Sequence, residues 1–397
     1  MGFAMSKHSV VIIGGGFAGV FAAHTLLQRG ITVTLVSQTN HFTFTPLLHE
    51  VATGSLIAHD ATFEYEGFFH SKSFHFVRGR VVHIDRQAKE IELEEGGRVA
   101  YGILVVATGS VTNEYAIKGV EHAYVLKSIE DAVELKRAML ARAQDLKRHV
   151  SVTVVGGGPT GLELIFDIDR MLKALKRRAR GSDYDLRLVH ATDVFCRGGG
   201  ERIQAYIGRA LKRARIEVVC GAYAQAITPS QVHTSVGSFH SDVTILCAGV
   251  RPQTDAFRGD LALDKQGHIP VHSSMQSVED PHVFAIGDVV TIGNQPPPKL
   301  AQTAVRQAAI AAHNIGCLLK DKNAILTNYK PNVIGVLFSL GYGDGVGTIG
   351  SVMVKGVFAW YLWRTVYLFK TPGLWNKLRV AFSWTMDLFQ GRNLTEL

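Results

Sequence analysis

The amino-acid sequence predicts an α/β fold of two similar parallel-sheet domains followed by amphipathic tail helices. Three observations carry this. Ser9–Ser37 reads as a buried strand, a glycine turn, an alanine-rich helix and a second strand. The same pattern returns at VTVVGGGPTGLELIF, from Val152 onward. The composition then shifts after residue 330 to aromatic-rich segments that hold all four tryptophans. A strand–glycine–helix unit that occurs twice is far more specific than either copy alone.

The first turn spells G-x-G-x-x-G at Gly14, Gly16 and Gly19, with Gly15, Phe17 and Ala18 between them. The first glycine permits the tight turn, and the second lets backbone approach a pyrophosphate. The third lets helix and strand pack closely. The helix then directs its N–H groups and the positive end of its dipole at the phosphates. Gly156, Gly158 and Gly161 repeat the arrangement. Two Rossmann-like dinucleotide-binding domains follow, one holding its dinucleotide as a prosthetic group and the other exchanging it.

Between the turns, Asn40–Leu56 mixes aromatics with Pro46, His49 and Glu50, as ligand-binding loops at the carboxyl end of a parallel sheet do. Phe74–Val82 and Glu90–Glu94 alternate like strands. Tyr101–Ala107 is a buried strand ending in Thr108-Gly109, and Ser128–His149 is a charged connecting helix. Lys173–Gly181 is a basic run, read as a solvated face. Leu186–His190 and Val243–Cys247 are strands, the latter closing in Ala248-Gly249. Pro281–Asp288 delivers an aspartate at a strand end, and a helix runs from about Ala301 to Leu319. Val333–Val354 reads as two strands. The domains are expected at 1–115 with 255–330, at 116–254, and at 331–397.

Bulk properties narrow the classes. The net charge of +8 suits anionic cofactors or an anionic membrane surface. No nucleic-acid-binding motif accompanies it, so nucleic acid is not expected as a partner. Four cysteines without C-x-x-C spacing point to a reducing compartment and to no metal site. No signal peptide and no run of eighteen apolar residues is found. In Leu374–Phe389, the residues Leu374, Leu378, Ala381, Phe382 and Phe389 share one side, opposite Asn376, Lys377, Ser383 and Asp387. Such helices lie in a membrane interface, where tryptophan favours the headgroup level.

With VVIIGGGFAG, PLLHEVATG, VVATGS, VVGGGPTGLE, AGVRPQTD, VFAIGD, LAQTAVRQA and the W-x-x-W-R tail in hand, the chain resembles the type II NADH:quinone oxidoreductases. These are flavoproteins of glutathione-reductase-like fold. The resemblance implies FAD on the first turn, contacted by Gly14–Gly19, Pro46, Val81, Ala107, Thr108, Gly109, Gly287, Asp288 and Ala301. NADH or NADPH would dock at Gly156, Gly158, Gly161 and Gly249, with Glu163 just inside the helix. A quinone from the membrane would arrive near Gln302, Arg306 and Gln307. A homodimer through the tail and a peripheral place on the cytoplasmic face of a membrane are further implications.

Three departures stand out. The acid expected on the FAD ribose is replaced by Ser37 and Gln38, and a neutral hydrogen bond can substitute for it. The acid expected on the NAD ribose is replaced by His190, which removes discrimination against NADPH; a protonated His190 or Arg197 would favour it. The second glutamine of the family's quinone helix is Arg306, either a quinone ligand, a sign of another acceptor, or an arginine salt-bridged at the domain interface. Disulfide reductases are excluded for want of a cysteine pair. A sulfide:quinone oxidoreductase-like enzyme and a slow-turnover redox-sensing flavoprotein are the alternatives.

Overall fold

The computed structural model describes residues 9–144, 149–179, 183–195, 200–293 and 295–389. Cys196, Arg197 and the end of the basic run lie outside the described residues. Packing divides the chain into two compact units, Met1–Phe42 with Phe63–Val111 and Val250–Val333, and Thr43–Thr62 with Thr112–Gly249 and Ile334–Leu397.

In the first unit, β1 (Val10–Ile13) is four β-branched residues buried on both faces, the composition of a central parallel strand. It pairs in parallel with β2 (Val33–Ser37) on one side and β4 (Ile103–Val106) on the other. β3 (Phe74–Arg78) extends the sheet beyond β2, and Val283–Ala285 extends it beyond β4. The single strand expected over Phe74–Val82 is two, separated at Gly79, and Val81–Asp85 opens a small antiparallel sheet instead. Helix α1 (Phe17–Gln28) turns Ala18, Ala22 and Ala23 inward and packs against the Ala301–Lys320 helix. Its N-cap, Gly16, offers no capping side chain, which leaves that end to a ligand.

The second unit includes the short α2 (Leu48–Ala52), buried throughout. Its sheet is built on β5 (Val150–Val155), also fully buried, in the order β7–β6–β5–β8 with β6 (Tyr184–His190), β7 (Glu217–Cys220) and β8 (Val243–Leu246), all parallel. Helix α3 (Pro159–Ala179) begins on proline, whose missing N–H costs nothing at a first helical position. The glycine-rich stretch after residue 333 forms three antiparallel strands rather than two: Gly335–Ser339, Gly345–Ile349 and Val352–Lys355. The tail ends in α4 (Gly356–Lys370) and α5 (Leu374–Phe389). No helix among the described residues is long and apolar enough to cross a membrane.

Candidate functional site: two glycine turns

The first turn is built by what its glycines exclude. A Cβ on Gly14, at φ +105°, would sit 2.3 Å from the Ala107 carbonyl, and one on Gly19 would sit 1.9 Å from the Gly14 carbonyl. Gly16 faces open space, with no atom within 4 Å of where its Cβ would be. Backbone carbonyls thus shut the turn to a side chain at two positions and leave it open where a pyrophosphate would lie. Gly15 is closed differently: Tyr65 donates its hydroxyl hydrogen to the Gly15 carbonyl at 3.0 Å, and a Cβ there would meet that oxygen at 1.7 Å. The Tyr65 hydroxyl also lies 3.4 Å from Ser37 Oγ at the end of β2, and burial raises its pKa. Gln38 is exposed, its carbonyl accepting from Arg78 Nε.

Of the other positions expected around FAD in this unit, Ala107 and Gly287 lie against the Gly14–Gly19 segment. Thr108 Oγ1 donates to the Gln253 carbonyl at 2.7 Å, and Gly109 accepts from Gln253 N–H at 3.0 Å. Asp288 accepts from Ser110 Oγ at 2.6 Å. Gly287, at φ +84°, lies against Ala18. Val81 is buried at the head of its strand, and Ala301 opens its helix. Gln307 is fully buried; its Oε1 accepts from the Gly287 N–H at 2.7 Å while its Nε2 has no partner. Gln302 is half-buried, and Arg306 is bonded to the Asn332 carbonyl. Pro46 lies in the second unit, in the turn Thr45–Leu47.

FAD fits this turn. The open space at Gly16 and the uncapped helix end are what a phosphate-bearing, hydrogen-bond-accepting cofactor requires. Sequence reasoning did not single out Tyr65, Ser110 or Gln253 as site residues; Ser110 and Gln253 sit within VVATGS and AGVRPQTD, and no local motif marks Tyr65. It also missed Lys299, whose Nζ donates to the Val250 carbonyl at 3.1 Å. Burial lowers the Lys299 pKa against the opposing pull of Asp288 and Asp264.

The second turn repeats the exclusions. A Cβ on Gly156, at φ +119°, would lie 2.2 Å from the Cys247 carbonyl, and one on Gly161 1.9 Å from the Gly156 carbonyl; Gly158 is open. Here the middle glycine meets an imidazole. Gly157 donates its N–H to His190 Nδ1 at 3.1 Å, and His190 Nε2 lies 3.0 Å from the Val194 carbonyl. Gly249, at φ +121°, closes β8, and its carbonyl accepts from the Asn113 N–H.

Glu163, one turn into α3, faces inward. Its Oε1 accepts from Trp363 Nε1 at 2.9 Å and from the Ser339 N–H at 3.1 Å, and its Oε2 is 3.8 Å from His49 Nε2. His49 Nδ1 is 2.6 Å from Asp167 Oδ2. Burial works against the charge of His49, but the Asp167 bond and the charges of Glu163, Asp167 and Glu50 prevail and raise it to about 9. Burial lifts the Glu163 carboxyl to about 7, against the pull of His49 and its two hydrogen bonds. Glu50 accepts from Trp384 Nε1 at 2.5 Å.

The tail helices join this network, α4 through Trp363 and α5 through Trp384. Asp387 is buried, with Oδ2 2.7 Å from Arg170 Nη1 of α3, alongside buried Val380 and Trp384. Arg379 pairs with the fully buried Asp60 at 3.1 Å. The polar side therefore docks, while Leu374, Trp375, Leu378 and Phe382 are exposed, Trp375 to 83%.

Residues 8–308 match the pyridine nucleotide-disulphide oxidoreductase model, and the chain belongs to that family. The expected resemblance to type II NADH:quinone oxidoreductases is borne out. The Mycobacterium tuberculosis enzyme of that name is 27% identical, over 97% of this chain and 89% of its own. In fold, the chain is similar to Plasmodium falciparum NDH2 in complex with NADH, with a TM-score of 0.90 at 18% identity over 98% of this chain and all of that one. The Aquifex aeolicus sulfide:quinone oxidoreductase is a more distant neighbour, with a TM-score of 0.78 at 19% identity over 96% and 95% of the two chains.

Proposed function

We propose that the chain is a peripheral membrane NAD(P)H:quinone oxidoreductase that uses FAD and pumps no protons. One observation carries this reading: two complete glycine turns, one per unit, each closed at its first and third glycines and open at its second. FAD, when bound, supplies the chemistry, taking a hydride from the nicotinamide and passing two electrons to a quinone.

The protein's residues hold and orient. The turn at Gly14–Gly19 and Asp288 bind FAD, with Ser37 and Tyr65 standing where a carboxylate would otherwise hold its ribose. Gln307, sealed from solvent, positions the Gly287-Asp288 turn from below, a role in place of quinone contact. Gln302 and Arg306 lie toward the quinone. The turn at Gly156–Gly161 binds NAD(P)H, and Glu163 is a positioning residue that ties α3 to the tail. The exposed Leu374, Trp375, Leu378 and Phe382 favour a lipid surface, with the tail also available to a second copy of the chain.

The sulfide-oxidising alternative needs cysteines at the flavin. Cys220 and Cys247 belong to the second unit, and Cys317 is a free thiol on the Ala301–Lys320 helix. Burial pushes the Cys247 thiol up to about 12, where it is not a nucleophile. The deciding experiment is NADH and NADPH oxidation by flavin-loaded, detergent-solubilised protein with a short-chain quinone. Turnover is expected. Fast flavin reduction without quinone turnover would leave the redox-sensing alternative in its place.

A further inference from the structure

We infer that His190 makes the second dinucleotide site indifferent to a 2′-phosphate, so that NADPH binds about as well as NADH. This rests on reading that turn as the pyridine-nucleotide site. In such units the residue closing the second strand faces the adenosine ribose, and a carboxylate there bonds the 2′-hydroxyl and repels a 2′-phosphate. In this chain β6 closes on His190, in register with Cys220 of β7.

The imidazole's two nitrogens are both spent inside the protein. Nδ1 accepts the Gly157 N–H at 3.1 Å, so it carries no proton. Nε2 lies 3.0 Å from the Val194 carbonyl, which only accepts, so Nε2 carries the proton and donates it. The partners thereby select the neutral tautomer. The ring is also wedged in place. It stacks on Phe195 with centroids 5.6 Å apart and planes 18° from parallel. A Cβ on Gly157 would come within 2.9 Å of the ring and 2.8 Å of Phe195. Swinging out would leave the Gly157 N–H without its acceptor, so the ring stays under the turn.

A locked, neutral ring neither repels nor attracts a phosphate dianion. The expectation of a cationic, NADPH-favouring His190 is thus replaced by indifference. The carboxylate nearest along the chain is Asp193, exposed in the loop that follows β6, which makes it the control for any remaining repulsion.

The test is equilibrium binding of NAD+ and NADP+ to the FAD-loaded protein, with 5′-AMP and 2′,5′-ADP as probes of the adenosine half alone. The expected dissociation constants for NAD+ and NADP+ lie within about tenfold of one another, a difference below about 1.4 kcal/mol. His190→Glu restores a carboxylate and weakens NADP+ by about tenfold or more, while NAD+ changes by less than about threefold. His190→Gln keeps a neutral acceptor for Gly157 and leaves the ratio where it was. Flavin content and melting temperature establish that each variant is folded. A wild-type preference for NAD+ above tenfold overturns the inference. So does an equal shift in the Glu and Gln variants, or a tenfold gain in NADP+ affinity on Asp193→Asn. Because binding is read without turnover, a protein that takes both coenzymes equally but fails with quinone sinks the quinone reading and leaves this one standing.

Discussion

The two glycine turns share a backbone and differ in what stands behind the middle glycine. Behind Gly15 is a phenol hydroxyl that donates to a carbonyl; behind Gly157 is an imidazole that accepts from an N–H. Neither strand end carries the carboxylate that usually closes the unit: Ser37 and Gln38 end the first and His190 the second. The steric part of the motif is therefore repeated almost atom for atom, with a Cβ on the third glycine falling 1.9 Å from the first glycine's carbonyl oxygen in both turns. The electrostatic part is rebuilt separately in each. Sterics tolerate no substitute, whereas a hydrogen bond to a ribose or a turn can come from several chemistries.

The largest expected effect breaks the symmetry outright. Gly19→Ala and Gly161→Ala each drive a Cβ into backbone, a misfit of about 1–3 kcal/mol or more. Gly19→Ala should yield protein with less than about a tenth of its flavin, a loss of at least 1.4 kcal/mol. Gly161→Ala should keep its flavin and lose NADH binding. Flavin absorbance and a NADH titration read both; loss of flavin in both variants would mean that the turns do not hold separate ligands.

The next contrast is pH. Folding raises Glu163 from 4.5 to about 7 and His49 from 6.5 to about 9, so the folded second unit holds both protons more tightly than the unfolded chain. Their contribution is complete below the unfolded pKa values and is lost as pH climbs through the folded ones. The melting temperature should fall from pH 5 to pH 9, and His49→Gln should flatten the part between about pH 6.5 and 9. An unchanged profile in His49→Gln would show that the buried histidine is not the titrating group.

A smaller change sharpens the role of the phenol. Tyr65→Phe leaves the Gly15 carbonyl without its donor, worth about 1 kcal/mol. FAD should bind roughly fivefold more weakly, with NAD+ binding unaltered. Equal weakening of both ligands would assign Tyr65 to general stability. The smallest effect on stability is expected from Leu378→Ser with Phe382→Ser, both exposed, which should shift stability by no more than about 0.5 kcal/mol. The same pair should abolish co-sedimentation with anionic vesicles; retained binding would place the membrane contact elsewhere.

What could be read locally was read well. The strands β1 and β5 and the glycine turns are short-range patterns, in which residue type, spacing and backbone demand coincide within about ten residues. The tail shows where that ends. A helical wheel separates Asp387 from Leu378 and Phe382, but it carries no information about which side finds a partner. Only packing against Arg170 and the neighbourhood of Glu50 turned the polar side inward and left the apolar side exposed. Gln307 was legible as a helix residue beside Gln302, yet its place behind Gly287 depends on a contact twenty residues away.

By itself, the sequence determined the two dinucleotide turns, the absence of a strand-end acid in each, and the apolar residues of the tail. These follow from local sterics and periodicity. The tertiary structure alone decided that Tyr65 closes the first turn, that His190 is held between the Gly157 N–H and the Val194 carbonyl, and that Glu163, His49, Trp363, Glu50 and Trp384 form one buried network. The physical reason is the same in each case. A buried polar group must find its partner, and that partner arrives from a distant part of the chain, where no spacing rule reaches.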